Sequence, residues 1–209
     1  MRKETVLKIV GLLRRNLGKG FTILEISKLL KIGYRPAYNH ISELEEKNII
    51  LVKKVGSSKQ CFLNLENAQA RHYLQEVDLV RKEESFNNRK LKMILEEIIP
   101  KITNQITAWL HSIVLFGSYA KGTATKSSDV DLLFIISDIK DKAVREKIER
   151  ECASYQHSHN VKISPLIADI EELKKMLKSK EVNVGKEAKD YGIALYGSEK
   201  FWRLISWDE

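Results

Sequence analysis

Gly117, Ser118, Gly122, Asp129 and Asp131 fall within one sixteen-residue run, GSYAKGTATKSSDVDL, at 117–132. An apolar segment, Ser112 to Phe116, leads into the run, and a second, Val130 to Ile136, leads out of it. Both are expected to be strands, with a turn and a short helix between them. A Gly-Ser turn at a strand end offers backbone N–H groups and a hydroxyl to a phosphate. Carboxylates at i and i+2 of a strand point to the same face, about 7 Å apart along the backbone. Such a pair holds a hard divalent cation, Mg²⁺ above all, against a nucleotide's phosphates. The expected chemistry is phosphoryl or nucleotidyl transfer. Ser127-Ser128-Asp129 supplies small polar residues where the chain must turn tightly before β pairing resumes.

The run GSYAKG…SDVDLLF resembles the signature of the nucleotidyltransferase superfamily that includes DNA polymerase β, and above all its minimal members. The resemblance covers about residues 88–200. It implies that Gly117 and Ser118 contact a nucleoside triphosphate and that Asp129 and Asp131 are catalytic ligands of two Mg²⁺ ions. An acceptor would attack the α-phosphate and pyrophosphate would leave. The resemblance also implies a third carboxylate on a third strand, which completes the metal site and acts as general base. That strand is expected at Val161 to Ile167, with Lys162, Ser164 and Leu166 on one face and Val161, Ile163, Pro165 and Ile167 on the other. None is acidic. The missing carboxylate falls at about Ser164, or else Lys162, with Asp169 a substitute from just beyond the strand or simply a helix cap.

Composition bounds the rest. A chain of 209 residues suffices for one large or two small domains. No apolar run approaches the ~20 residues of a membrane span, and Met1 to Thr5 lacks the start of a signal peptide, so a cytoplasmic protein is expected. Cys61 and Cys152 have no metal-ligand spacing and read as buried, reduced thiols. His157 and His159 read as part of a polar surface loop, and His111 as a helix cap.

Charge is unevenly divided. Residues 1–65 hold 13 Lys/Arg and 5 Asp/Glu, whereas residues 66–209 hold 23 of each. The whole surplus of +8 therefore lies in the first third, the pattern of a nucleic-acid-binding module beside a neutral one. Helical periodicity is expected over Thr5–Leu17, from a Thr22 capping box with Glu25, and from Arg35 to about Lys47. Two short strands, Ile49–Val55 and Gln60–Leu65, follow around Gly56–Lys59.

This order resembles the winged helix-turn-helix of MarR-like regulators. The resemblance implies that the third helix enters a DNA major groove and the wing touches backbone. Arg35, Tyr38, Asn39 and Ser42 would then reach bases or phosphates, with Lys53, Lys54 and Lys59 at the wing tip. Protein contact or dimerisation is the alternative use of such a module.

A linking helix is expected over Glu66–Glu84, then a long one from about Asn88 to Trp109 that Pro100 kinks or breaks. Its stripe of Leu91, Ile94, Leu95, Ile98, Ile102, Ile106 and Trp109 should pack on the catalytic sheet, with a homodimer seam as the second possibility. Further expectations are a helix at Lys140–Tyr155, another at Ile170–Leu177, an apolar piece at Tyr191–Gly197, and packing roles for Trp202 and Trp207.

The fold expected is α/β (α+β) in two domains: 1–65 a winged helix, 66–87 a helical linker, and 88–209 a mixed-sheet nucleotidyltransferase with flanking helices. Two functions stay open. One is transfer of a nucleoside monophosphate from Mg-NTP to an acceptor hydroxyl. The other is a DNA-binding regulator whose transferase domain is degenerate and senses a nucleotide or binds a partner. A further carboxylate beside Asp129 and Asp131 favours the first, and Ser164 or Lys162 there favours the second.

Overall fold

The computed structural model describes residues 3–15, 17–159 and 161–206, the side chains of 156–159 excepted. His157, His159 and Trp207, given roles above, lie outside the described side chains. The chain divides into two compact units, residues 3–77 with Ile205 and Ser206, and residues 78–204.

In the first unit α1 (Lys3–Arg14) ends earlier than its periodicity suggests, and buries Val6, Ile9, Val10 and Leu13. Thr22 caps α2 (Ile23–Leu29) through the expected box: its hydroxyl accepts from the Glu25 N–H at 3.2 Å, and its own N–H donates to Glu25 at 2.7 Å. α3 (Tyr34–Glu46) buries Ala37, Ile41 and Leu44.

The hairpin β1 (Ile50–Val55) and β2 (Ser58–Leu63) is tighter than expected, because Val55 pairs with Ser58 across a two-residue turn. Gly56 makes this possible, standing at φ +60° where other residues are strained. Phe21 extends the hairpin, exchanging two backbone hydrogen bonds with Cys61 at 3.1 and 2.7 Å. Asn67 then caps α4 (Ala68–Ser85), and Ala70, Leu74 and Val77 are buried, whereas Val80 is exposed.

The second unit is organised by a four-stranded sheet ordered β5-β4-β3-β6. Its strands are β3 (Leu110–Phe116), β4 (Val130–Ile136), β5 (Ile163–Asp169) and β6 (Ile193–Tyr196). β4 and β5 are parallel and the other pairs antiparallel, so the sheet is mixed. The two central strands are apolar on both faces, since helices cover both.

α5 (Arg89–Ile106) is one continuous helix, with Asn88 as its cap and Pro100 inside it. The expected break does not occur because Pro100 lies on the exposed face, where water can hydrate the carbonyl that loses its partner. Leu91, Ile94, Leu95, Ile98, Ile102 and Ile106 share one core with Ile113, Leu115, Leu132 and Phe134. That burial removes the stripe as a dimer seam. Trp109 leaves it, beyond the helix and 42% exposed.

α7 (Lys142–His159) and α8 (Ile170–Lys178) correspond to expected helices. α9 (Val184–Tyr191) and α10 (Ser198–Ser206) were not anticipated. His111 is a strand residue rather than a cap, with Nε2 3.4 Å from the Ser137 hydroxyl. Trp202 is fully buried, and its indole N–H donates to Asp78 at 2.7 Å. Both cysteines are free and buried, and burial pushes the thiols up to about 11 for Cys61 and about 12 for Cys152.

Truncating the α5 stripe should be costly and truncating its outer face should not. Ile98→Ala is expected to lower stability by about 2–5 kcal/mol, and Met93→Ala by no more than about 0.5 kcal/mol. Urea unfolding of the two variants measures both, and equal losses would contradict this packing.

Candidate functional site

The four residues singled out for nucleotide and metal are brought together at one end of the sheet. Phe116, the last residue of β3, lies opposite Asp131 on β4, and Asp131 lies opposite Ser164 on β5. One row thus crosses three strands. The chain leaves β3 at Gly117 and forms the single-turn helix α6 (Gly117–Lys121), which Gly122 closes at φ +73°.

Gly117 is fixed by two constraints at once. Its φ is +69°, a region that favours glycine. A Cβ on it would also stand 2.1 Å from Asp131 Oδ2 and 2.9 Å from Asp131 Cγ. The Asp131 carboxyl therefore fills the space that a side chain at 117 would need. Ser118 follows directly, half-buried.

Between α6 and β4 the chain turns through Thr125–Ser128. Ser128 N–H donates to the Thr125 carbonyl at 3.2 Å, and Thr125 N–H to the Ser128 hydroxyl at 2.9 Å. The turn brings Asp129 to the head of β4.

Asp129 and Asp131 meet different surroundings. Lys162 Nζ donates to Asp129 Oδ2 at 2.5 Å, and the Ser164 hydroxyl donates to the same oxygen at 3.2 Å. The Lys162 bond holds the Asp129 carboxyl below the usual carboxylate range, with burial opposing it and the Ser164 hydrogen bond adding to it. The same contact raises the Lys162 ammonium. Asp131 is shifted the other way. Burial raises it first, then the neighbouring charges of Asp129 and Glu187, with Lys162 and Lys121 opposing.

The third strand carries no acid at the site. Ser164 occupies the place opposite Asp131, and Lys162 lies two residues before it on the same face. Asp169 is excluded as a substitute. It pairs with Ile136 at the far end of the ladder and caps α8, accepting from the Glu172 N–H at 2.8 Å. It stands five positions along the strand from Ser164, roughly 16 Å away.

Two contributors had no signal in the GSYAKG…SDVDL pattern. Glu187, on α9, pairs with Lys121 of α6 at 2.7 Å and acts on Asp131 through space. Asn183 caps α9, and that cap followed by apolar spacing is the clue from which the helix was legible. Arg81 of α4 donates to the carbonyls of Ala120, Tyr191 and Gly192 at 3.1, 2.8 and 2.8 Å. It thereby ties the ends of α6 and α9. A lone arginine on a charged helix announces no such role.

As a donor set, Asp129 and Asp131 suit one hard divalent ion whose other ligands come from phosphates and water. Among the described residues no group of three or more His, Cys, Asp or Glu side chains comes together as a metal site.

The residues expected to meet DNA lie in the first unit. Arg35, Tyr38 and Asn39 are exposed and Ser42 half-buried. At i, i+3, i+4 and i+7 they share one side of α3, away from Ala37, Ile41 and Leu44. Lys54 pairs directly with Lys59 beside the hairpin turn, and Lys53 lies 5.6 Å over the Phe62 ring. Facing like charges destabilise a ladder, so an anion between them would be favourable. Among the described residues no helix is long and apolar enough to cross a membrane.

Comparison with known proteins gives the following. Residues 96–191 match the family model described as "Nucleotidyltransferase domain". The chain is 33% identical over 119 residues to "Putative protein adenylyltransferase MJ1305" of Methanocaldococcus jannaschii, covering 56% of this chain and 79% of that protein. It is 29% identical over 100 residues to "Putative protein adenylyltransferase MJ0141" of the same organism, covering 48% and 93%. Among solved structures, a chain in the crystal structure of the toxin-antitoxin with AMP-PNP is 19% identical, with a TM-score of 0.37 over 53% of this chain and 82% of that one. That likeness is too low to superpose one site on the other.

Gly117 and Gly122 allow a direct test of the close approach. Both stand at positive φ, but a Cβ on Gly122 meets nothing within 4 Å. Gly122→Ala should cost about 1–2 kcal/mol, the backbone penalty alone. Gly117→Ala should cost about 1–3 kcal/mol more, and most of the excess should be lost in an Asp131→Ala background, where only the Asp131 Cβ at 3.2 Å stays close. Thermal or urea unfolding of the four variants measures it, and an excess undiminished by Asp131→Ala would refute the contact with the carboxyl.

Proposed function

The chain belongs to the nucleotidyltransferase family, and from that premise we propose that it moves AMP from ATP to a hydroxyl on a protein. The single observation that carries this reading is the Asp131 carboxyl seated against Gly117, with Ser118 and Asp129 alongside. The adenylyl group and the protein acceptor rest on the two M. jannaschii relatives described as putative protein adenylyltransferases.

In this reading Gly117 N–H and the Ser118 hydroxyl donate to phosphate oxygens. Asp129 and Asp131 hold a divalent cation, Mg²⁺ in the ordinary case. When bound, it would neutralise phosphate charge and polarise the α-phosphorus. The acceptor oxygen forms a bond to that phosphorus while the bond to pyrophosphate breaks, and the hydroxyl proton passes to water. No acidic side chain of β5 is at hand to take it. A missing general base costs about 10²–10⁴-fold, so slow turnover is expected.

The assay is release of pyrophosphate and transfer of label from α-labelled ATP, GTP, CTP and UTP. ATP should be preferred, and Asp131→Ala should reduce transfer by about 10²-fold or more. No transfer from any of the four, with Asp131→Ala indistinguishable, would sink this reading.

A second activity is supported by the first unit. We read residues 1–65 as a winged helix-turn-helix that binds DNA through Arg35, Tyr38, Asn39 and Ser42 of α3 and through Lys53, Lys54 and Lys59 of the hairpin. The common face on α3 and the facing lysines favour it. The Lys162 and Ser164 contacts with Asp129 favour a regulator in which the transferase site senses a nucleotide. Residues 66–87 would then link this module to the transferase domain at 88–209. Fluorescence anisotropy with a duplex should reveal binding that weakens as salt rises. Lys54→Ala should reduce the salt slope by roughly 0.9. No binding of any duplex at low salt would eliminate this module's DNA role.

A further inference from the structure

We propose that the site takes one divalent cation per bound nucleotide, the Lys162 ammonium standing where a second ion would need a carboxylate. The inference rests on the assignment of Asp129 and Asp131 as cation ligands in the preceding subsection. It departs from the two-ion arrangement that the superfamily resemblance implies.

Asp129 Oδ2 accepts from Lys162 Nζ at 2.5 Å and from the Ser164 hydroxyl at 3.2 Å. Ser164 lies on the strand that would have to supply the third acid, and Lys162 immediately precedes it. Ser164 is the residue directly across from Asp131, and the one acid of β5, Asp169, is at the strand's other end. The other Asp129 oxygen and the Asp131 carboxyl, with a nucleotide's phosphates, make one set of hard oxygen ligands. A second ion beside Asp129 would meet a hydroxyl and an ammonium, and would be repelled by the ammonium.

The charges gathered at the site include two that are already positive. Asp129, Asp131 and Glu187 bring three carboxylates to the site, and Lys121 and Lys162 bring two ammonium groups. The two ammonium groups supply positive charge that a second ion would otherwise bring. Lysine is a compact point charge on a flexible stem, so it replaces the charge of an ion without its coordination shell. Lys162 is more than half exposed, so it can follow a phosphate oxygen once a nucleotide is present.

The test counts metal against nucleotide rather than following activity. The full-length chain is dialysed to equilibrium with Mn²⁺ and α,β-methylene ATP, and both are measured in the protein compartment above background. Wild type should retain about one Mn²⁺ per nucleotide. The double variant Lys162→Ala/Ser164→Asp should retain about two, as should Lys162→Asp alone, which offers the acid from the neighbouring position. Nucleotide retained by each variant reports that it has folded. Two ions per nucleotide in wild type would overturn the inference while leaving the nucleotide site intact. So would one ion in both variants when nucleotide is bound. No nucleotide retained by wild type would overturn the parent reading, and this inference with it.

Discussion

The second unit depends on the contact between Gly117 and Asp131. A carboxyl occupies the volume of an absent Cβ, 2.1 Å from where that atom would stand. Nothing but glycine satisfies both that space and the backbone angle of +69°. The contact fixes where β3 ends, because the chain must leave the sheet as it passes the carboxyl. It fixes the start of α6 and so the position of Ser118. It also demands the register that sets Phe116 against Asp131, since a slip of one residue would turn the carboxyl into the core. A second glycine gives the support. Gly192 lets the end of α9 close on β3, where a Cβ would lie 2.7 Å from Val114.

Around that contact the two carboxylates are made unlike. Asp129 is held ionised by a cation from just before β5, whereas Asp131 is half-buried and crowded by negative neighbours. Groups two residues apart along an extended chain share a face but need not share a role. Asp131 carries the unmet negative charge of the site, so it is the residue with most to gain from a bound cation. Asp129 already has part of what it needs.

Much of this was legible in the chain. The GSYAKG…SDVDL run and the apolar segments flanking it marked the end of β3, the single-turn helix and β4, because each piece carries its own chemistry: an apolar run, a turn glycine, paired acids. The Thr22–Glu25 box and the Asp169 cap were readable for the same reason, since capping is local. Alternation put Lys162, Ser164 and Leu166 on one face, the resemblance put the missing acid at Ser164 or Lys162, and the ladder sets Ser164 opposite Asp131. What escaped was long-range. Glu187 lies 56 residues beyond Asp131 along the chain, and Arg81 lies 39 before Ala120, whose carbonyl it holds. No local pattern reports such partners. Pro100 misled because its cost depends on which face of α5 it occupies, and that depends on packing.

The order of the strands has a consequence for how other molecules can approach. Both edges of the sheet are poor templates for a further strand. β6 is four residues long. On β5, Val130 N–H bonds the Lys162 carbonyl at 2.9 Å, which turns the even-numbered groups inward and the odd-numbered ones, Pro165 among them, to the free edge. A proline there removes a donor that an incoming strand would need. A protein partner is therefore denied the sides of the sheet as a place to add a strand. Ser118, Asp129 and Lys162 are gathered away from those sides, at the strand ends.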